Sequence, residues 1–143
     1  ILFSVPFKKI LDASALLLPI LRYNNHIANR MTVKAIVDSL RVDNTKTNSS
    51  FLYRYRSKDD FGTPRSAFLI CGFWLVEALH LIGEQKLAAT CMDEALTAAN
   101  HLGLLSEHYD PSSKLQLGNF PQGYSHVGLI NAAFTISAKW EEY

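Results

Sequence analysis

Residues 66–82 read SAFLICGFWLVEALHLI, a run apolar almost all round in which Glu77 and His80 are the only ionisable groups. A helix that is apolar on every side must be buried on every side. The stretch is therefore read as an inner helix, with Trp74 packed in the core and Gly83 ending it. On its C-terminal side, residues 84–102 are amphipathic. Leu87, Cys91, Ala95, Leu96, Ala99 and Leu102 share one helical face, Gln85, Lys86, Asp93 and Glu94 the other, and Gly103 is the natural stop.

The same alternation occurs earlier. Residues 10–21, ILDASALLLPIL, are apolar nearly all round, broken by Asp12 and Ser14 and kinked or ended at Pro19. Asn25 is placed to cap an amphipathic helix over 25–42. In it Ile27, Met31, Ile36, Val37 and Leu40 recur at helical spacing, while Asn29, Arg30, Lys34 and Asp38 would face water. Residues 43–50 form a polar loop whose Asn48-Ser49-Ser50 matches the glycosylation pattern by chance. FLYRYR, 51–56, reads as a short extended piece, and SKDDFGTP, 57–64, as a loop in which Asp59 and Asp60 are turn residues. A third apolar helix is expected over 125–140, with a fraying end beyond Trp140.

Buried helix, amphipathic helix, polar loop, repeated at roughly 55–60 residues, suggests two layers with inner helices wrapped by outer ones. The expectation is an all-α toroid or solenoid. Three inner helices cannot close a ring, so an open arc exposing apolar surface, and hence self-association through the inner helices, is expected.

The 143 residues make about one domain, and 48% apolar against 19% charged residues is a globular profile. A net charge of +1 gives no reason to expect a nucleic-acid or membrane-surface partner. The apolar runs are too short or too interrupted to span a bilayer. Cys71 and Cys91 fall in apolar helical patterns and read as small buried hydrophobes. His26, His80, His101, His108 and His126 show no metal-ligand spacing, and no Gly-rich phosphate loop is present, so neither a metal nor a cofactor is expected. The opening ILFSVPFKKILDAS lacks a basic start followed by a clean apolar core. It reads as a chain beginning mid-protein with no signal peptide, and a cytoplasmic location is favoured.

The long polar stretch 103–131, GLLSEHYDPSSKLQLGNFPQGYSHVGLIN, lies between two helical segments. Long loops in compact domains usually carry function. Together with YRYRSKDDFGTPRSAFLICGFWLVEAL and LDASALLLP, it closely resembles glycoside hydrolase family 15, in particular its microbial glucoamylase and trehalase-like members. The resemblance runs over about residues 10–140, and DDFGTP, GLLSE with YDP, and GNFPQ with YS are its specific motifs. It implies an (α/α)6 barrel, of which residues 1–143 would be the C-terminal part of the catalytic domain. It also implies inverting hydrolysis of α-glucosidic bonds in trehalose, maltooligosaccharide or starch-type glucan.

Inverting hydrolysis uses two carboxyl groups about 6.5–9.5 Å apart, one as general acid and one, ionised, as the base that deprotonates water. The resemblance assigns the base to Glu107 and the acid to a segment upstream of this chain. It places Arg54 at sugar hydroxyls, which suits a guanidinium fork, and Tyr124 at the glucose site, with Gln122 and Ser125 as looser contacts. His108 departs from the family pattern, which has an acidic residue or Gln there, and is placed to pair with Glu107. Two rival functions stand beside the hydrolase. One is a truncated barrel that binds sugar or a protein partner without catalysis. The other is a helical-repeat scaffold, which explains the rhythm but not the GLLSE and GNFPQ motifs.

Overall fold

The computed structural model describes residues 10–42, 49–60 and 62–137. The expectations for 43–48, including Asn48, for Phe61 within DDFGTP, and for Trp140 to Tyr143 lie outside them. The described chain is mostly helical. A 3-10 turn, Ala13–Leu16, leads into α1 (Leu17–Ile20). Then follow α2 (His26–Leu40), β1 (Ala67–Phe68), α3 (Leu69–Leu81), α4 (Gln85–Leu96), β2 (His108–Asp110), β3 (Leu115–Leu117) and α5 (Gly123–Ile136).

The apolar run at 66–82 does what its composition dictates. Eleven consecutive residues of α3, Leu69 to Leu79, are buried. The helix is flanked by α4 on one side and α5 on the other. Its apolar girth leaves no face that tolerates water, so every neighbour packs on it. Gly83 follows the helix end as expected, with φ +89°. The fit against α5 is close: a Cβ on Gly128 would lie 2.4 Å from Ile70 Cδ1 and 3.2 Å from Phe73 Cβ. Only a residue without a side chain lets the two backbones approach to that distance.

Several expectations are corrected. Residues 10–21 do not make a long inner helix. They form the 3-10 turn and one α-helical turn, and Leu21 is exposed. Asp12 caps the turn by accepting from the Ser14 amide at 2.7 Å, and Pro19 sits in the last turn of α1. Asn25 does cap α2, its Oδ1 accepting from the Ala28 amide at 2.9 Å. The buried face of α2 is rotated from the one expected. Asn29, Thr32, Val33, Ile36 and Leu40 point inward, while Ile27 and Met31 are 74% and 52% exposed. Asn29 Nδ2 donates to the Tyr23 carbonyl at 2.9 Å, which offsets part of the cost of its burial, while its Oδ1 and the Thr32 hydroxyl are buried without a partner among the described residues.

The α4 helix is shorter than the amphipathic pattern, ending at Leu96 before the turns that reach Gly103. Ala88, Cys91, Met92 and Ala95 form its inner face, and Leu96 and Leu102 are exposed. Glu94, expected in water, instead accepts from the Ser50 amide at 2.5 Å. The all-helical reading also missed a small antiparallel sheet in the order β1-β2-β3, with Ala67 opposite Tyr109 and His108 opposite Leu117. The extended piece at 51–56 does form. It is tied down by bonds from Tyr53 N to Leu40 O and from Phe68 N to Leu52 O.

Candidate functional site

Glu107 stands where the sheet meets the inner helix. It directly precedes β2, its carbonyl accepts from the Leu69 amide that opens α3 (3.0 Å), and its own amide donates to the Asn119 carbonyl (2.9 Å). The β2–β3 hairpin thus returns the chain to its starting point and puts residue 119 beside residue 107. The Glu107 side chain is partly exposed, and its Oε2 accepts twice from Asn119. One donor is the backbone N–H at 3.2 Å and the other the Nδ2 amide at 3.1 Å. Among the described residues Oε1 takes no hydrogen bond. Gly118 makes this approach feasible, since its φ is +75° and a Cβ there would lie 2.8 Å from Glu107 Oε2.

The loop behind the carboxylate is braced on buried polar contacts. Ser106 is fully buried, and its Oγ donates to the His108 carbonyl at 2.5 Å. Ser125 was expected to touch sugar. It is instead fully buried, and its Oγ donates to the Ser106 carbonyl at 2.7 Å. A side chain that solvent cannot reach has no access to a ligand, so Ser125 acts through the loop backbone. Gln122 holds the N-cap position of α5 without a side-chain cap bond, and its backbone N–H donates to Leu105 O at 2.8 Å. His126 was singled out in the sequence only for lacking metal-ligand company, yet it joins both sides of the loop. Its Nδ1 donates to the Gln122 carbonyl at 2.7 Å, which leaves Nε2 to accept from the Leu105 amide at 3.3 Å. The i, i+4 spacing of Gln122 and His126 was the available signal.

His108 does not pair with Glu107. Its ring stacks on Phe68 across the β1–β2 ladder, with centroids 4.9 Å apart and planes at 21°, and its Nδ1 is buried without a partner. Both side chains approach Gly118, where a Cβ would lie 2.8 Å from Glu107 Oε2 and 3.3 Å from His108 Cδ2, yet no hydrogen bond joins them. His108 and Arg54 line an open cleft of about 550 Å³ together with Tyr55, Asp59, Arg65 and Ser66. Glu107 is not among the residues lining that cleft and connects to it only through its neighbour. Asp59 is a turn residue as expected, exchanging backbone bonds with Gly62 and accepting from the Tyr55 hydroxyl.

Arg54 has a partner inside the chain: its Nε donates to Asp12 Oδ1 at 2.6 Å. Its guanidinium lies 5.9 Å from the centre of the Trp74 ring, and Trp74 meets Tyr124 edge-on at 6.1 Å. Arg54, Trp74 and Tyr124 therefore form one cluster, with Tyr124 half-exposed at its rim. Burial works against the charge on Asp12, but the hydrogen bonds from Arg54 and Ser14 outweigh it and hold the carboxyl below its usual range. Burial pushes the Cys91 thiol up to about 12 and the Cys71 thiol up as well, as befits core cysteines. Among the described residues no group of three or more His, Cys, Asp and Glu side chains could hold a metal ion, and no helix is long and apolar enough to cross a membrane.

Residues 84–134 match the model of glycosyl hydrolases family 15. The chain is 40% identical over 128 residues to a trehalase of Thermoplasma acidophilum, covering 87% of this chain and 21% of the relative. It is 38% identical over 137 residues to a trehalase of Mycobacterium tuberculosis, covering 92% and 19%. A trehalase of Mycolicibacterium smegmatis is 37% identical over 137 residues, covering 92% and 20%. The chain thus spans about a fifth of the length of the curated relatives it matches. No solved structure gave a significant match. Loop, inner helix and relatives agree, and the chain belongs to glycosyl hydrolases family 15.

Proposed function

We propose that the chain serves in the hydrolysis of α-glucosidic bonds, with trehalose as the substrate, by an inverting reaction in which Glu107 is the general base. The carrying observation is the state of its carboxylate. One oxygen is pinned by Asn119, and the other takes no hydrogen bond among the described residues. A base for water needs this division, with a fixed side chain and one lone pair left to receive a proton. The general acid that completes the pair comes from another segment of the domain. It protonates the departing sugar oxygen while the Glu107-activated water attacks the anomeric carbon from the opposite face.

Arg54 and Tyr124 are the residues we assign to the sugar. Arg54 keeps donors beyond the one given to Asp12, and the half-exposed Tyr124 ring presents an apolar face at the rim of the cluster. The trehalase names of the relatives support trehalose over maltooligosaccharide or starch-type glucan. The test is Glu107→Gln in the full-length polypeptide, assayed on trehalose and maltose. Turnover on trehalose is expected to fall ~1,000-fold or more with the melting temperature little changed. Near-normal turnover would sink the assignment.

The apolar face of α5 supports a second proposal, self-association of this chain. Val127, Ile130 and Phe134 lie on one side of the helix and are 51%, 53% and 77% exposed.

A further inference from the structure

We infer that Asn119 is a positioning residue for the base, and that its side-chain amide, not the backbone alone, sets the orientation of the Glu107 carboxylate. The inference rests on the reading of Glu107 as general base. Its observations are separate from that reading. Both donors that reach Oε2 belong to residue 119, at 3.2 Å from the backbone and 3.1 Å from Nδ2. The backbone of the same residue accepts from the Glu107 amide at 2.9 Å. Residue 119 therefore holds residue 107 at three points, two of them on one carboxylate oxygen.

The amide type matters. Nδ2 donates, whereas an aspartate of the same shape would set a second carboxylate against the first, and an alanine would leave Oε2 with the backbone N–H alone. A carboxylate on a flexible three-torsion stem, held by one bond, rotates about that bond. Held by two donors that converge on one oxygen, it presents the other oxygen in one direction. Gly118 keeps the space clear, because a Cβ there would crowd Oε2 at 2.8 Å. The amide thus acts on orientation in the reacting geometry, and its loss should appear in kcat more than in KM.

The experiment uses the full-length polypeptide with trehalose, and compares Asn119→Ala, Asn119→Asp, Asn119→His and Glu107→Gln. Asn119 is exposed, so the alanine variant is expected to fold, and its thermal melt checks this. Asn119→Ala should lower kcat about tenfold with KM within about twofold. Asn119→Asp should lower kcat further, by about a hundredfold, through like-charge repulsion. Asn119→His keeps an N–H donor at nearly the same reach and should recover most of the lost kcat.

Two failures are distinguishable. If Glu107→Gln retains turnover, the base assignment itself falls and takes this inference with it. If Glu107→Gln is inactive while Asn119→Ala keeps kcat within about twofold, or if alanine and histidine lose kcat equally, the base stands and the positioning role of Asn119 is overturned.

Discussion

Arg54 shows how a single residue's reading changes once its neighbours are known. In the sequence it is one of two arginines alternating with aromatics, placed at sugar hydroxyls by the resemblance. In the fold it is half of a partly buried ion pair with Asp12, forty-two positions away. Because the folded Asp12 carboxyl titrates below its ordinary 3.8, it contributes stability that is present above that pH. The contribution is lost as pH falls through the lower, folded value. Asp12→Asn should therefore melt below the parent at neutral pH. The deficit is ~1 kcal/mol after discounting for the part of the guanidinium that faces water. Thermal melts taken from neutral pH downward should show the gap closing below 3.8. A gap that persists undiminished in acid would mean that the deficit does not come from the charge of the Asp12 carboxylate. Asn119 was visible within GNFPQ but could not be matched to Glu107 by spacing alone, since only the hairpin brings the two together.

At the scale of elements, composition made the inner helix plain and left the sheet obscure. The α3 run is apolar on all sides, so no other placement satisfies it. The strands are two and three residues long, and those after α4 carry His, Asp and Gln, so they are too short and too mixed for alternation to mark them. The α2 face was misread because Asn29, whose Nδ2 donates to the Tyr23 carbonyl, took an inward position that hydrophobicity alone would give to Ile27 or Met31. The α3–α5 contact carries its own prediction. Gly128→Ala must push Ile70 aside and crowd Phe73, and should destabilise the fold by about 1–3 kcal/mol. Denaturant unfolding should show a lower midpoint with an unchanged slope. A midpoint equal to that of the parent would mean that the two helices part without cost.

For the whole molecule, the arc of helices anticipated from the alternating pattern is present, with α3 flanked by α4 and α5. The pattern overstated the first arm, where α1 is a single turn. The proposed self-association is tested through α5. Phe134→Glu together with Ile130→Glu should shift the full-length polypeptide, at high concentration in sedimentation equilibrium, from a concentration-dependent mass to that of a single copy. A parent chain that is already monodisperse and monomeric at every concentration would end that proposal.

The hairpin has a bearing on the order in which this site assembles. Glu107 and its amide partner are separated by twelve positions, whereas Arg54 and Asp12 are separated by forty-two. Closing the longer loop costs about 1 kcal/mol more in chain entropy. The anchor of Glu107 is thus a short-range structure that closes on itself, and the anchor of Arg54 waits until distant stretches of chain have met. In a folding chain the anchor of Glu107 is expected to close before that of Arg54.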